Sequence, residues 1–291
     1  MNLLLRLVIL TLVVIVTACS GNQTNHDGHG AENDQQKQHE QHEASNNQHK
    51  QHEQHEAGAP SDTQTEAVWK TVNENLQSKR VEEITIEVKD RSGKQIEDFA
   101  INHEQKMHLI VVSKDLSFFD HLHPAFQGNG LFKVTEQFPA GGEYKLIADY
   151  IPQGGQQETK HTWVTVSGET APGKPLEADK SFTKVVEGTE ITLDQQNLRA
   201  NTDVTLTFSF KDAATKKPVT DLQPYLGAVG HVVIISADAE KYIHNHPLEE
   251  KSTGPDAKFE TSFPASGMYK IWGQFQRNGK VFVVPFVVQV Q

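Results

Sequence analysis

The second half of this chain repeats the first at a domain-sized spacing, and a repeat of that period settles the organisation before any local reading is made. Trp69–Leu76 lines up with Ile191–Leu198, and Ile84–Asp90 with Leu206–Asp212, both at an offset of 122 residues. Asp98–Ser113 matches Asp221–Ser236 at 123, and Phe138–Lys145 matches Phe263–Lys270 at 125. The offset changes only in stretches rich in Gly, Lys or Pro, which are expected to be loops. Two copies of one domain follow, at residues 66–167 and 182–291, joined by a Gly-, Pro-, Glu- and Lys-rich linker at 168–181.

Each copy reads as strands. Val68, Val72 and Leu76 have helical spacing, but their counterparts around Ile191–Leu198 are β-prone, so this stretch is expected to be a first strand and a turn. Ile84–Val88, Met107–Val112, Leu116–His123, Leu131–Phe138, Tyr144–Tyr150 and Thr162–Val166 follow as further strands. Seven short strands separated by turn signals predict an all-β chain, two tandem immunoglobulin-like antiparallel β-sandwich domains. Tyr144 and Tyr269 each open the sixth strand after a glycine-containing turn, where such sandwiches carry a tyrosine corner, and both are read as structural. Phe138 and Phe263 are read as core.

The N-terminus is of another kind. Arg6 precedes an apolar run, Leu7–Val16, too short for a lasting membrane span, so residues 1–18 read as a signal peptide. The run ends Val16-Thr17-Ala18-Cys19-Ser20, which resembles the lipobox of bacterial lipoproteins, and Cys19 is the expected lipidation site. Two acyl chains there would anchor the protein to the cell membrane on its outer, extracytoplasmic face. Cys19 is the only cysteine in the sequence, which leaves no thiol for a disulfide, a thiolate metal site or a cysteine nucleophile. The formal net charge is −11, a surface that repels nucleic acid and attracts cations.

Residues 19–65 are rich in Gln, His, Glu, Asn, Gly and Ala and lack the large apolar side chains a core requires, so they read as a disordered tether. A flexible chain of about 47 residues reaches roughly 35–40 Å. His26, His29, His39, His42, His49, His52 and His55 lie in it, and neutral imidazole beside carboxylates makes weak, promiscuous ligand sets for divalent ions. A low-complexity spacer kept soluble by its histidines is the alternative.

The remaining histidines form the pattern that points to chemistry. His108, His121 and His123, followed by Pro124, recur as His231, His244 and His246, followed by Pro247, with the same internal spacing. A hairpin closed by a two-residue turn at Lys114–Asp115, or at Ala237–Asp238, would set His108 opposite His121 and His231 opposite His244, with His123 and His246 on the same faces. Three imidazoles would then converge on one ion in each copy, leaving a further coordination position open. Histidines that only shape turns are the competing reading. His103 and His161 have no histidine counterpart, Leu226 and Pro285 standing in their places, and are read as surface residues. Asp120 beside His121 is a possible extra ligand, although Ile243 replaces it in the second copy. Imidazole clusters suit copper(II) or zinc, whereas copper(I) would want sulfur ligands. Met107 adjoins His108 but should point to the opposite strand face.

The lipobox, the tether, the Asp120–Pro124 segment and the Phe138–Lys145 segment together resemble the YtkA-like and related immunoglobulin-like lipoproteins of Gram-positive bacteria. The resemblance covers both repeats and implies the sandwich fold and, by similarity to other envelope sandwiches, copper handling. The second copy departs from it at Asn245, which replaces Leu122. No nucleophile elbow, phosphate-binding glycine loop or zincin helix can be placed, so an enzyme is not expected. The expected function is capture or buffering of copper or zinc by a membrane-anchored protein. The alternative is a non-catalytic structural or protein-interaction module that binds another envelope protein.

Overall fold

The computed structural model describes residues 65–173 and 175–291. In the first repeat the strands are β1 (Thr65–Thr71), β2 (Leu76–Gln77), β3 (Glu82–Asp90), β4 (Met107–Ser113), β5 (Phe119–Leu122), β6 (Ala125–Phe126), β7 (Leu131–Glu136), β8 (Gly142–Tyr150) and β9 (Glu158–Ser167). In the second they are β10 (Thr183–Val186), β11 (Thr189–Asp194), β12 (Asp203–Asp212), β13 (Gly230–Ser236), β14 (Tyr242–Asn245), β15 (Asp256–Ser262), β16 (Gly267–Arg277) and β17 (Lys280–Val290). The described residues are all-β, and no helix among them is long and apolar enough to cross a membrane.

Each repeat is a two-sheet sandwich. The first has sheets ordered β1-β3-β7-β6 and β2-β9-β8-β4-β5; the second has β10-β11-β12-β15 and β14-β13-β16-β17. Pairing within these sheets is antiparallel except for the short β2–β9 contact. The immunoglobulin-like partition is the same in both, with β1, β3 and β7 answering to β11, β12 and β15, and β5, β4, β8 and β9 to β14, β13, β16 and β17. Strict period-two burial shows why β3 forms one wall of a core: Ile84, Ile86 and Val88 are buried while the residues between them are partly exposed. They pack with Leu109, Val111, Phe132 and Leu146 in the first core, and Leu206, Phe208 and Phe210 pack with Val232, Ile234 and Phe259 in the second.

β4 and β13 break that alternation, all seven residues of each being buried. Leu109 and Val111 serve the first core, while Ile110 and Val112 lie on the other face, in a third cluster with Val233, Ile235 and Trp272 of the second repeat. The repeats are therefore docked through the outer faces of their β4- and β13-containing sheets. The contact has approximate two-fold character: Ile110, Val112, Leu116 and Ile147 enter it beside their counterparts Val233, Ile235, Ala239 and Trp272. The Phe119 and Trp272 rings stack at 4.7 Å. Buried Lys145 donates to the Ala239 carbonyl at 2.6 Å, and its counterpart Lys270 donates to the Leu116 carbonyl at 2.6 Å, each lysine crossing to the other repeat. Leu176 of the linker also packs into the third cluster.

Both tyrosine corners form as the sequence pattern predicts. Tyr144 donates its hydroxyl to the Ala140 carbonyl at 2.8 Å and Tyr269 to the Ala265 carbonyl at 2.9 Å, each four residues upstream. Both rings are buried and pack on Phe138 and Phe263, which are fully buried. Tyr144→Phe and Tyr269→Phe should each lower unfolding free energy by about 1 kcal/mol, the usual net worth of such a bond. The check is the urea midpoint of each variant, and a midpoint equal to that of the parent for both would count against a structural role for the corners.

Candidate metal centre

The histidines are placed by the hairpins β4–β5 and β13–β14, whose turns are wider than the two-residue turns expected. Ser113 N–H donates to the Phe118 carbonyl at 3.2 Å and Ser236 N–H to the Lys241 carbonyl at 3.0 Å, so each loop holds four residues. An aspartate organises each loop. Asp115 Oδ1 accepts from Ser113 Oγ and from Ser117 N at 2.6 and 3.1 Å; Asp238 Oδ1 accepts from Ser236 Oγ and from Glu240 N at 2.5 and 3.0 Å. The residue after each aspartate, Leu116 or Ala239, turns the chain in the left-handed region with φ of 56° or 59°. The ladder consequently sets His121 opposite Ile110 and His244 opposite Val233, not opposite His108 and His231. This displacement is by two residues, which preserves the face of every side chain, whereas a displacement by one would have reversed it. The strand expected over Leu116–His123 is shorter as a result, and His123 and His246 lie just beyond the ends of β5 and β14.

All three histidines of each set come together. His108, His121 and His123 each present a ligating nitrogen within 4.8 Å of the others, and His231, His244 and His246 do the same. One outward nitrogen of each set is held by a backbone carbonyl. His108 Nε2 donates to the Asn102 carbonyl at 3.0 Å and His231 Nε2 to the Tyr225 carbonyl at 3.1 Å, from loops at corresponding points of the two repeats. That tautomer turns Nδ1 of both rings inward with its lone pair. His231 Nδ1, His123 Nε2 and His246 Nε2 are buried nitrogens with no hydrogen-bond partner. Buried polar atoms left in that state are rare, and several converging on one place make a cradle for a cation.

The two sets face one another across the docking contact. Ring centroids of His108 and His244 are 5.3 Å apart and those of His121 and His244 5.7 Å apart, no farther than His231 and His244 within one set. Each repeat also supports the histidines of the other. His121 Nδ1 lies 3.0 Å from Gln274 Oε1 of β16, and His244 Nδ1 lies 3.2 Å from Asp149 Oδ2 of β8. Asp149 stands opposite His108 in the β4–β8 ladder and Gln274 opposite His231 in the β13–β16 ladder, so the supporting residues occupy equivalent positions.

Several single-residue expectations are corrected by this packing. His103 is not a simple surface residue: its ring stacks on His246 at 3.6 Å and meets His231 edge-on at 5.2 Å. It reaches the cluster because the Asn102–Gln105 turn, with φ of 45° at His103, folds back towards the second repeat. Asp120 does not join the first set. It stands opposite Val111, on the core side of β5, and its Oδ1 accepts from His121 N at 2.7 Å. Burial raises the Asp120 carboxyl; burial, then the nearby Asp120, pushes Glu136 up to about 7. Met107 points into the first core, away from His108, as expected, and His161 is exposed. Asp149 and Gln274 have no signature in the sequence as ligand supports, since only the docked repeats bring them to the histidines.

Burial disfavours the charged form of five of the six rings. It pushes His108 down to about 4 and His231 down to about 3, and holds His121 well below the ordinary imidazole value. His123 is lowered by burial, and His246 by burial and then by His244. Neutral imidazole is the ligating form, so these rings need lose no proton to bind an ion at neutral pH. Cys19 and the tether histidines His26, His29, His39, His42, His49, His52 and His55 lie outside the described residues.

No curated protein matches the chain. Solved structures similar to it include Escherichia coli alpha-2-macroglobulin activated by porcine elastase, at 11% identity over 78% of this chain and 20% of that one, with a TM-score of 0.28. A putative membrane anchored protein from Corynebacterium diphtheriae matches at 12% identity over 77% and 57%, with a TM-score of 0.24. A two-domain fibronectin type-III segment of chicken tenascin matches at 11% identity over 77% and 100%, with a TM-score of 0.22. The chain thus spans a fifth of the length of the first of these. One family model matches it twice, over residues 63–168 and 184–291, and the chain belongs to that family, described as a domain of unknown function (DUF8832).

Proposed function

We propose that the protein is a membrane-anchored, extracytoplasmic metal-binding lipoprotein that captures or buffers zinc or copper(II) with two three-histidine sites. The observation that carries this reading is the pair of imidazole sets, two rings of each buried and one half-buried, in which a backbone carbonyl engages Nε2 of His108 and of His231 and the ligating nitrogens converge. Zinc bonds imidazole nitrogen at about 2.0–2.1 Å, so tetrahedral ligation sets the nitrogens roughly 3.3 Å apart. His108 Nδ1 and His121 Nε2 are already 3.0 Å apart, and ring rotation can close the remaining distances within each set. The donors are nitrogen alone, which suits zinc and copper(II) and disfavours copper(I). Three protein ligands leave a position for water or for a ligand presented by a partner, as delivery of an ion requires.

The lipobox at Cys19 and the resemblance to YtkA-like lipoproteins support a location on the outer face of the cell membrane. In this reading the histidines of the tether intercept ions weakly and hold them near the sandwiches at high effective concentration, and the buried sets retain them. An envelope protein that receives the ion would be the partner.

Two outcomes follow from the geometry. In the full chain with the seven tether histidines replaced by glutamine, zinc should bind in two equivalents and raise the melting temperature. A ligand at a hundred times its Kd stabilises by about 2.7 kcal/mol. Replacing His108, His121 and His123 together by glutamine should remove one equivalent, and calorimetric titration that still finds both would exclude the first site. The second outcome concerns the metal-free chain. Histidines of the unfolded chain protonate near pH 6.5, whereas His108 and His231 stay neutral in the fold until about 4 and 3. The unfolded state therefore binds more protons through this window, and stability present at pH 7 is lost as the pH falls from about 6.5 towards 4. Urea midpoints measured in chelator should drop steadily from pH 7 to pH 4.5; a constant midpoint would show that the buried rings are not held neutral.

A further inference from the structure

The two sets are related by an approximate two-fold, yet the groups behind them differ in one decisive respect. Asp149 is 1% exposed and Gln274 is 1% exposed, and each stands behind the middle histidine of the other repeat. A carboxylate can only accept. Asp149 Oδ1 takes a hydrogen bond from Gln157 Nε2 at 2.6 Å, and Oδ2 takes bonds from His244 Nδ1 at 3.2 Å and Tyr242 Oη at 3.4 Å. His244 is thereby fixed in the tautomer whose Nε2 carries the lone pair, and a buried negative charge lies directly behind it. Gln274 imposes neither condition. Turned so that Nε2 rather than Oε1 faces His121 Nδ1, the Gln274 amide donates to that nitrogen, and His121 then keeps its proton on Nε2 and gives it to His108 Nδ1, 3.0 Å away. In the metal-free chain the first set thus satisfies two of its three inward nitrogens internally. In the second set His231 Nδ1 and His246 Nε2 both lack a hydrogen-bond partner.

From this we infer that the sites fill in order: the first divalent ion enters His231, His244 and His246, with Asp149 as its positioning residue, and the second enters His108, His121 and His123 more weakly. The inference rests on the reading of both sets as metal sites. An ion in the second set meets a ligand already oriented by a carboxylate, while an ion in the first must break the His108–His121 hydrogen bond. Repulsion between two dications adds to the difference, because the rings of the two sets are 5.3–6.4 Å apart.

The test is calorimetric titration with zinc chloride of the full chain carrying glutamine at the seven tether histidines, at pH 7. Two steps of unequal affinity are expected, with His246→Gln removing the tighter and His123→Gln the weaker. Asp149→Asn should weaken the tighter step by roughly tenfold to a hundredfold, the usual effect of losing a group behind a ligand. Gln274→Glu should strengthen the weaker step, a gain that misfolding cannot imitate; melting curves in chelator verify the fold of each variant. Two equal steps, or loss of the tighter step in His123→Gln, would overturn the order of filling while leaving metal binding intact. Absence of zinc binding in every version would overturn both.

Discussion

The docking of one sandwich against the outer face of the other is the constraint on which the rest of the molecule depends. A sheet of an antiparallel sandwich commonly leaves one face to water. Here β4 and β13 carry apolar residues on both faces, and the second face of each has nowhere to go but against the other. The lysine crossings fix how they meet. A buried ammonium is costly unless its protons are taken up, and Lys145 and Lys270 each find a carbonyl only in the other repeat, at the residue where the hairpin loop turns left-handed. Burial lowers Lys270, as the cost of that position requires. Slippage of the contact would leave both ammonium groups without those acceptors, so the lysines specify the alignment that the apolar cluster alone would leave loose.

That alignment creates the histidine centre. Six imidazoles on exposed sheet faces would be solvated and ordinary; closed between two sheets, His108, His121, His123, His231 and His246 become harder to protonate, and His121 and His244 acquire supports from across the contact. The arrangement works against stability, since each buried polar atom without a partner costs about 1–3 kcal/mol. His123 Nε2, His231 Nδ1 and His246 Nε2 are three such atoms in one place. A core shaped for folding alone would fill these positions with apolar side chains, as it does at Ile110 and Val233 on the same strand faces. Local cost that serves no packing purpose is the physical mark of a site.

Much of this could be read from the residues. The repeat, the strand sequence, both tyrosine corners and the gathering of three histidines per copy follow from spacing and from the two-residue period of strands. The hairpin register did not, because Asp115 and Asp238 bind serine hydroxyls and backbone amides and so enlarge each loop from two residues to four. The faces survived because the slip is an even number of residues. Docking left a trace that spacing alone does not decode: Leu109–Val112 and Val232–Ile235 are unbroken apolar runs in antiparallel strands, a pattern that needs burial on both sides. The places of His103, Asp149 and Gln274 were beyond reach, since each depends on which part of one repeat abuts the other.

Duplication followed by divergence explains why the centre is only nearly symmetric. The six histidines and the two bridging lysines are the same in both copies. The differences fall in the layer around them: Asp149 against Gln274, His103 against Leu226, Asp120 against Ile243. The turn conformation is retained where the side chain is not, φ being 45° at His103 and 51° at Leu226, so the backbone offers the same approach to both sets and only the chemistry at its tip differs. Two identical sets a few ångströms apart would compete for cations on equal terms, and filling one would penalise the other without preference. Bonding the carboxylate to a ligand of one set alone, and stacking the His103 ring on that same set, removes that degeneracy. On the proposed reading a pair of copied sites thereby becomes a graded pair, in which the weaker position exchanges its ion while the stronger retains its own.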